Sequence, residues 1–260
     1  MSDIKSIAQI KQEFEQSGDD KEALYVQYAG DSRKGVQNLI TKYQKEAQKL
    51  VKERERLETM RFFEHKYSEY HAICGIDEAG RGPLAGPVVA ACAVMPLREE
   101  QLIDGVNDSK LLSESKREEL FEIIRERAIE YTISVIDNRE IDKINILNAT
   151  KRCMNRCLQQ LKARSDIVLV DAVKLENTPF DTLPIIHGDA LSYSIAAASI
   201  LAKVFRDRLM REYDSQYPEY GFARHKGYGT KAHIEALKKY GACPLHRKTF
   251  IRNFVKTDEY

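Results

Sequence analysis

No run of apolar residues in the chain approaches the roughly 20 that a membrane-spanning helix needs, so no bilayer crossing is expected. The first residues, MSDIKSIAQIKQEFEQ, lack the apolar core of a signal peptide, and the cytoplasm is the expected compartment. Cysteine is sparse. The five residues Cys74, Cys92, Cys153, Cys157 and Cys243 are an odd number in a chain without a secretory signal, which argues against a disulfide framework. Cys153 and Cys157 share a helical face by spacing, but no histidine or further cysteine lies close to them in sequence, so they read as reduced thiols. No 20-to-50-residue repeat is present, which excludes a solenoid. Net charge is also nearly absent, at +1, although its distribution is uneven. Lys203 to Arg252 holds twelve Lys/Arg against five Asp/Glu, a basic stretch that points to a polyanionic partner.

What is present is enough apolar residue, 43% of 260, for one substantial core and an appendage. The first 70 residues read as helical. Val36 to His65 has no Pro or Gly and places Leu39, Tyr43, Leu50, Leu57 and Met60 at helical intervals among dense charges. A shorter helix is expected around residues 3 to 16, with breaks at SGDD and AGDSRKG. The domain organisation is therefore a helical extension over 1–70 and a main domain over 71–260 whose C-terminal part is basic and helical.

From residue 71 the pattern becomes α/β. AICGID, GPVVAACAV and EYTISVID read as three strands pairing antiparallel, with a helix opened by Ser113 between the second and third. A helix over 141–164, an apolar strand IVLVDAV, a short strand LPIIHGD and a long helix over 191–213 follow. The continuous run Ile167 to Val170 suits a strand buried on both faces.

Four acids stand where strand patterns end: Asp77 and Glu78, Asp171, and Asp189. One such residue is ordinarily a cap or a turn former, and capping is a real alternative for Asp189. Four together repel one another unless a cation sits among them. Oxygen-only ligands favour a hard ion such as Mg²⁺ or Mn²⁺ over zinc. Neighbouring strand residues face opposite ways, so bringing Asp77 and Glu78 to one site requires a bend, which Gly80 and Gly82 on either side of Arg81 would supply. Ser199 and Lys203, at i,i+4, face one side of the last long helix. The run Ala196 to Ser199 suits close packing on the sheet, and Lys203 can reach a phosphate. His187, His225, His233 and His246 are given no metal role.

The segments GIDEAGRGPLAGPVVAACAV, NDSK, LVDAV, HGDALSYSIAAASILAKVFRD and YPEYGFARHKGYGTKAHIEALKKYGACPLHR together resemble the type 2 ribonuclease H family, in its bacterial ribonuclease HII branch, over some 180 residues from His71 to Arg252. The resemblance implies a ribonuclease H-like α/β fold, a mixed five-stranded sheet flanked by helices. It implies an endonuclease that cuts the RNA strand of an RNA–DNA hybrid, or 5′ to a ribonucleotide embedded in duplex DNA. Metal-binding and catalytic roles carry over to Asp77, Glu78, Asp171 and Asp189. Gly80, Arg81, Gly82 and Tyr228 become readers of the RNA–DNA junction, and Lys110, Ser199 and Lys203 are further substrate-binding candidates. Two divalent ions, Mg²⁺ or Mn²⁺, would flank the scissile phosphate and leave 3′-hydroxyl and 5′-phosphate ends. The implied protein acts as a monomer on nucleic acid, with no membrane partner.

Three rivals are weighed. A transposase or junction resolvase can cluster acids on the same fold, but has no use for a Gly-Arg-Gly turn that inspects a 2′-hydroxyl. Ribonuclease HIII carries a β-rich N-terminal platform, whereas residues 1–70 here read as helical. An inactive hybrid-binding module would not be expected to keep all four acids.

Overall fold

The β-branched and small apolar runs seen in the sequence build a five-stranded sheet: β1 (Ile73–Ala79), β2 (Val88–Val94), β3 (Glu130–Ile136), β4 (Ile167–Asp171) and β5 (Asp181–Ile185). The structure is a computed structural model and describes residues 5–18, 21–70, 72–162, 165–176 and 178–255. Strand order is β3-β2-β1-β4-β5. The first three strands pair antiparallel, as expected, while β4 joins β1 in parallel and β5 joins β4 in parallel. β1 and β4 therefore run in the same direction, and the carboxyl ends of these two central strands lie side by side, where open α/β sheets place functional groups.

Twelve helices are present among the described residues: α1 (Ile7–Gln16), α2 (Glu22–Tyr28), α3 (Lys34–Met60), α4 (Phe62–Lys66), α5 (Glu114–Arg127), α6 (Asn138–Ile144), α7 (Ile146–Gln160), α8 (Gly188–Leu191), α9 (Tyr193–Gln216), α10 (Phe222–His225), α11 (Lys231–Tyr240) and α12 (Lys248–Ile251). None is long and apolar enough to cross a membrane. Several differ from the sequence reading. The helix expected over 141–164 is two, because Asn145 adopts a left-handed φ of 64° and caps α7 through its side chain, which accepts from the Asn148 N–H. Residues 163–164 lie outside the described residues, as do 3–4 at the start of the first helix. The helix expected over 36–65 starts at Lys34 and breaks after Met60, and α2 was not anticipated.

The chain divides into two compact units, Met1–Glu58 and Thr59–Tyr260. In the first, Ile10, Phe14, Tyr28, Val36, Ile40 and Tyr43 form a core in which the Phe14 and Tyr43 rings stack 4.8 Å apart. Ser6 and Gln9 form a reciprocal capping box at the start of α1.

In the second unit the pleat sorts side chains between two layers. Cys74, Ile76, Val168 and Val170 face α7 through Cys153, Met154 and Cys157. Ile73, Ile167 and Leu169 face the opposite way, with Ile195 of α9. Each fully buried aliphatic side chain contributes roughly 1.5–3 kcal/mol. On the second face α9 lies against the strand backbone: a Cβ at Gly75 would fall 2.1 Å from the Ser194 carbonyl carbon. The small residues Ala196 to Ala198 are fully buried there, as the sequence suggested. All five cysteines are free, and the Cys153 and Cys157 thiols donate to the Ser134 and Ala90 carbonyls at 3.2 and 3.1 Å.

Candidate active site

Asp77 and Asp171 reach the site because each is one step past a paired position. The parallel register matches Ile76 with Val170, and the next residues along are the two aspartates. Both are two residues beyond positions that face α9, Gly75 and Leu169, so the period of two sends both carboxylates to the α9 face. Asp189 arrives from α8, and the turns just after β4 and just before α8 are tightly constrained. Ala172 and His187 both hold left-handed backbones, at φ 50° and 58°, of a kind found at functional turns. At Gly188 a Cβ would lie 2.6 Å from Ile195 Cδ1, and the Gly188 N–H donates to Asp171 Oδ1 at 2.7 Å. Ser192, not Asp189, caps α9, which leaves Asp189 free of capping duty there. Asp77, Asp171 and Asp189 each offer an oxygen, all within 4.8 Å of one another.

Glu78 is placed differently. β1 pairs regularly with β2 through Ala79, and the chain turns at Gly80, with a φ of 96°, just after the acids as expected, but too late to bring both carboxylates onto one face. Glu78 faces the α7 side at the end of the strand, outside the three-aspartate group. It is held by Arg81, whose Nη1 donates to Glu78 Oε1 at 3.3 Å, while Glu78 Oε2 is buried without a partner.

Burial, with the charges of Glu78 and Asp171 adding to it, pushes the Asp77 carboxyl well above the usual carboxylate range, against hydrogen bonds from the Ser199 hydroxyl and the Glu78 N–H. Burial also raises Asp171, opposed by the Gly188 N–H and assisted by the charge of Asp189. Burial raises Glu78 against the pull of Arg81. Three oxygen donors within reach, with Asp77 and Asp171 disfavoured as anions by their burial, and one orphaned buried carboxylate oxygen on Glu78 fit a hard divalent cation.

The surrounding residues differ in how they engage. Lys110 Nζ donates to Asp189 Oδ2 at 2.7 Å. Ser199 joins Ser109, 2.9 Å away, and Asp77, so it serves both packing and the site. Lys203 does not turn to the site: its ammonium pairs with Asp207 at 2.7 Å. Tyr228 is 44% exposed and its Cε1 would lie 3.7 Å from a Cβ at Gly82, so the ring borders the Gly-Arg-Gly loop.

The basic C-terminal stretch is partly consumed inside the protein. Arg208 and Arg211 pair with Glu114, Glu118 and Glu122 of α5, and Arg206 and Arg247 are fully buried. Arg224, Lys231, Lys238 and Lys239 stay exposed. Sequence reasoning overlooked Ser109, Gly188 and Arg247, and gave Arg206 no role. The HGD and HRK tripeptides were visible, but nothing local marks their side chains as buried.

Central parallel strands ending in clustered aspartates, with a helix packed on the same face, define a nuclease of the ribonuclease H class. The solved ribonuclease H2 from Pyrococcus horikoshii OT3 superposes with a TM-score of 0.61 at 28% identity, covering 70% of this chain and 96% of that one. The family model for ribonuclease HII matches residues 74–256, and that for the ribonuclease HII N-terminal domain matches residues 6–68. Ribonuclease HII of Ruminiclostridium cellulolyticum is 52% identical over 253 residues, covering 96% of this chain and 98% of the relative. Ribonuclease HII of Clostridioides difficile is 51% identical, covering 96% and 99%. The chain belongs to the ribonuclease HII family, a family of hydrolases with ribonuclease H activity on RNA–DNA hybrids.

Proposed function

We propose that the chain cuts the RNA strand of RNA–DNA hybrids and cuts 5′ to ribonucleotides embedded in duplex DNA, leaving 3′-hydroxyl and 5′-phosphate ends. The observation that carries this reading is the junction of two features on one strand: Asp77 in the acidic cluster and, three residues later, the Gly80–Gly82 loop bordered by Tyr228. Mg²⁺ or Mn²⁺ would be held by Asp77, Asp171 and Asp189, with Glu78 contributing from the strand end. Two such ions supply Lewis-acid stabilisation of the attacking and departing oxygens in an in-line displacement.

The protein's own groups do the rest. Ser199 and the Glu78 N–H fix the Asp77 carboxylate, and the Gly188 N–H fixes Asp171, so the donor set is oriented before substrate arrives. Lys110, 74% exposed, offers a cation at the rim that can turn to a phosphate. The Gly-Arg-Gly backbone reads the 2′-hydroxyl that separates RNA from DNA, and Tyr228 stacks on the sugar that follows. Exposed Lys231, Lys238 and Lys239 supply non-specific attraction to the backbone. The cytoplasm is the compartment in which this activity is placed, and the 1–58 helical unit is a separable module.

The test is cleavage of a duplex carrying one ribonucleotide, mapped at nucleotide resolution with Mg²⁺ and Mn²⁺ compared. A single cut 5′ to the ribonucleotide is expected. Cleavage of the all-DNA duplex at an equal rate would sink the reading.

A further inference from the structure

Among the described residues, no carboxylate is hydrogen-bonded to either of two arginines buried beneath the Gly-Arg-Gly loop. Arg206, on α9, and Arg247, just before α12, are 1% and 0% exposed. Their guanidinium groups make seven hydrogen bonds, every one to a backbone carbonyl. Arg247 donates to Gly80 at 2.6 Å, Arg81 at 2.8 Å, Gly86 at 3.0 Å and Pro87 at 3.2 Å. Arg206 donates to Pro87 and Lys226, both at 2.9 Å, and to Ala85 at 3.2 Å. Burial lowers both, to about 10 for Arg206 and about 9 for Arg247, which leaves them cationic at neutral pH. Packing alone would be served at less cost by apolar side chains of similar volume. What those could not do is gather carbonyls from two loops, which needs the planar five-donor fork.

The consequence for the loop follows from peptide geometry. A planar trans peptide points its C=O and the next N–H in opposite directions. Drawing the Gly80 and Arg81 carbonyls inward therefore turns the Arg81 and Gly82 N–H groups outward. Among the described residues neither N–H donates to a protein acceptor.

The two glycines then have different reasons to be there. Gly80 has a φ of 96°, and a Cβ on it would fall 2.1 Å from Arg206 Nε, so the buried guanidinium itself demands glycine. At Gly82 the nearest atom to such a Cβ is Tyr228 Cε1 at 3.7 Å, an ordinary contact. Nothing in the protein requires Gly82 to be bare, which leaves its open side for a ligand's backbone or sugar.

Arg206 also bridges to the second loop. Its bond to the Lys226 carbonyl fixes the segment two residues before Tyr228, and its guanidinium lies 6.0 Å from the Tyr228 ring centre. Leu84 and Gly227 are joined by a backbone bond of 2.8 Å, and Leu84 accepts from the Arg247 N–H at 2.8 Å.

We propose that Arg206 and Arg247 are positioning residues for recognition of the 2′-hydroxyl: they clamp the Gly80–Pro87 and Lys226–Tyr228 loops by their carbonyls, so that the outward N–H groups and the Tyr228 ring face two consecutive sugars of one junction. This rests on the reading of the Gly-Arg-Gly loop given above. Neither arginine touches substrate.

The experiment measures discrimination, defined as affinity for a duplex with one ribonucleotide divided by affinity for the matching all-DNA duplex, by fluorescence anisotropy. Arg247→Lys and Arg206→Lys keep the charge but lose the fork. Discrimination is expected to fall about tenfold in each, the effect of misplacing one donor contact. All-DNA affinity and Mn²⁺ binding by calorimetry are expected to stay at wild-type levels. A merely structural role would lower the melting temperature and leave the ratio intact, and folded lysine variants with wild-type discrimination would overturn the proposal. Arg247→Gln serves where the lysine variant does not fold. Independently of any variant, NMR of the wild-type protein should show slow solvent exchange at both arginine Nε–H groups, and fast exchange there would show the clamp open and defeat it. A wild-type protein without discrimination would instead remove the underlying reading of the loop.

Discussion

Lys110 Nζ and Asp189 Oδ2 lie 2.7 Å apart, an ion pair between a side chain 74% exposed and one 5% exposed. The ammonium neutralises a carboxylate that a divalent ion would also use, so the two compete for it. An ion pair of this exposure contributes about 0.5–1 kcal/mol. Lys110→Met should therefore tighten Mn²⁺ binding about two- to fivefold in the absence of nucleic acid, read by calorimetry at low salt. Weaker binding in the variant would mean that Lys110 helps to hold the ion rather than opposing it.

Asp77→Asn separates charge from fold. A carboxyl whose folded pKa is raised destabilises the native state once pH exceeds its unfolded value, and the loss is complete above the folded value. In metal-free buffer at pH 8, Asp77→Asn should thus be more stable than wild type, because the amide carries no charge to bury. The same variant should lose the stabilisation that Mg²⁺ gives wild type, with turnover down on the order of a thousandfold. Asp189→Asn should lose activity likewise. Thermal melts with and without Mg²⁺ check the first part, and a variant that melts lower than wild type without metal would refute it.

Tyr228→Ala should reduce kcat/KM at a single embedded ribonucleotide by about ten- to a hundredfold, the scale of a lost base or sugar stack. Tyr228→Phe keeps the ring and should lose less. Equal rates for wild type and Tyr228→Ala, with melting temperatures matched, would take the ring out of recognition and leave it to the backbone loop.

Much of the sheet was legible because its strands are written in runs that only a two-faced buried strand tolerates, such as Ile167 to Val170, and because Asp171 ends one of them. Asp77 and Asp171 could be paired from such strand ends alone. The face of Glu78 could not be, since alternation and the glycine turn pointed to different outcomes and only the observed register, regular through Ala79, decides between them. The break at Asn145 needed a left-handed residue that reads as ordinary helix from its neighbours IDKIN and ILNAT. Arg206 and Arg247 were opaque for another reason: the loop carbonyls they bind around Gly80 to Pro87 lie more than a hundred residues away in sequence.

Glu64 shows the same opacity in a segment that reads as part of the helical extension. Its Oε1 accepts from the Ser192 hydroxyl at 2.6 Å and the Ser194 N–H at 2.9 Å, so a buried carboxylate sits on the N-terminus of α9, three residues beyond Asp189. Deleting residues 1–58 should leave metal-dependent cleavage intact on short substrates. Glu64→Ala in the full chain should cost about 1–3 kcal/mol, since two buried donors lose their acceptor. That corresponds to a fall of about 3–10 °C in melting temperature. A deletion through residue 70 that melts no lower than the deletion through 58 would count against this role.

The Tyr228 carbonyl is the end of a histidine chain whose direction can be assigned. The Cys243 N–H can only donate, and it meets His246 Nδ1 at 3.0 Å, which puts the His246 proton on Nε2. That proton points to His233 Nε2 at 3.0 Å, and His233 Nδ1–H then donates to the Tyr228 carbonyl at 3.0 Å. Both rings are buried and neutral, their pKa values pushed down to about 4, chiefly by burial. Between the ordinary histidine value near 6.5 and about 4 the unfolded chain binds protons that the folded chain refuses, so this contribution to stability falls as pH drops through that window and is flat above it. The Cε1–H resonances of His233 and His246 should accordingly show no titration between pH 7 and pH 5. Replacing His246 by Gln should flatten the decline in melting temperature over the same range. Titration of either ring with a midpoint above 6 would break the assigned chain and release the Tyr228 carbonyl from it.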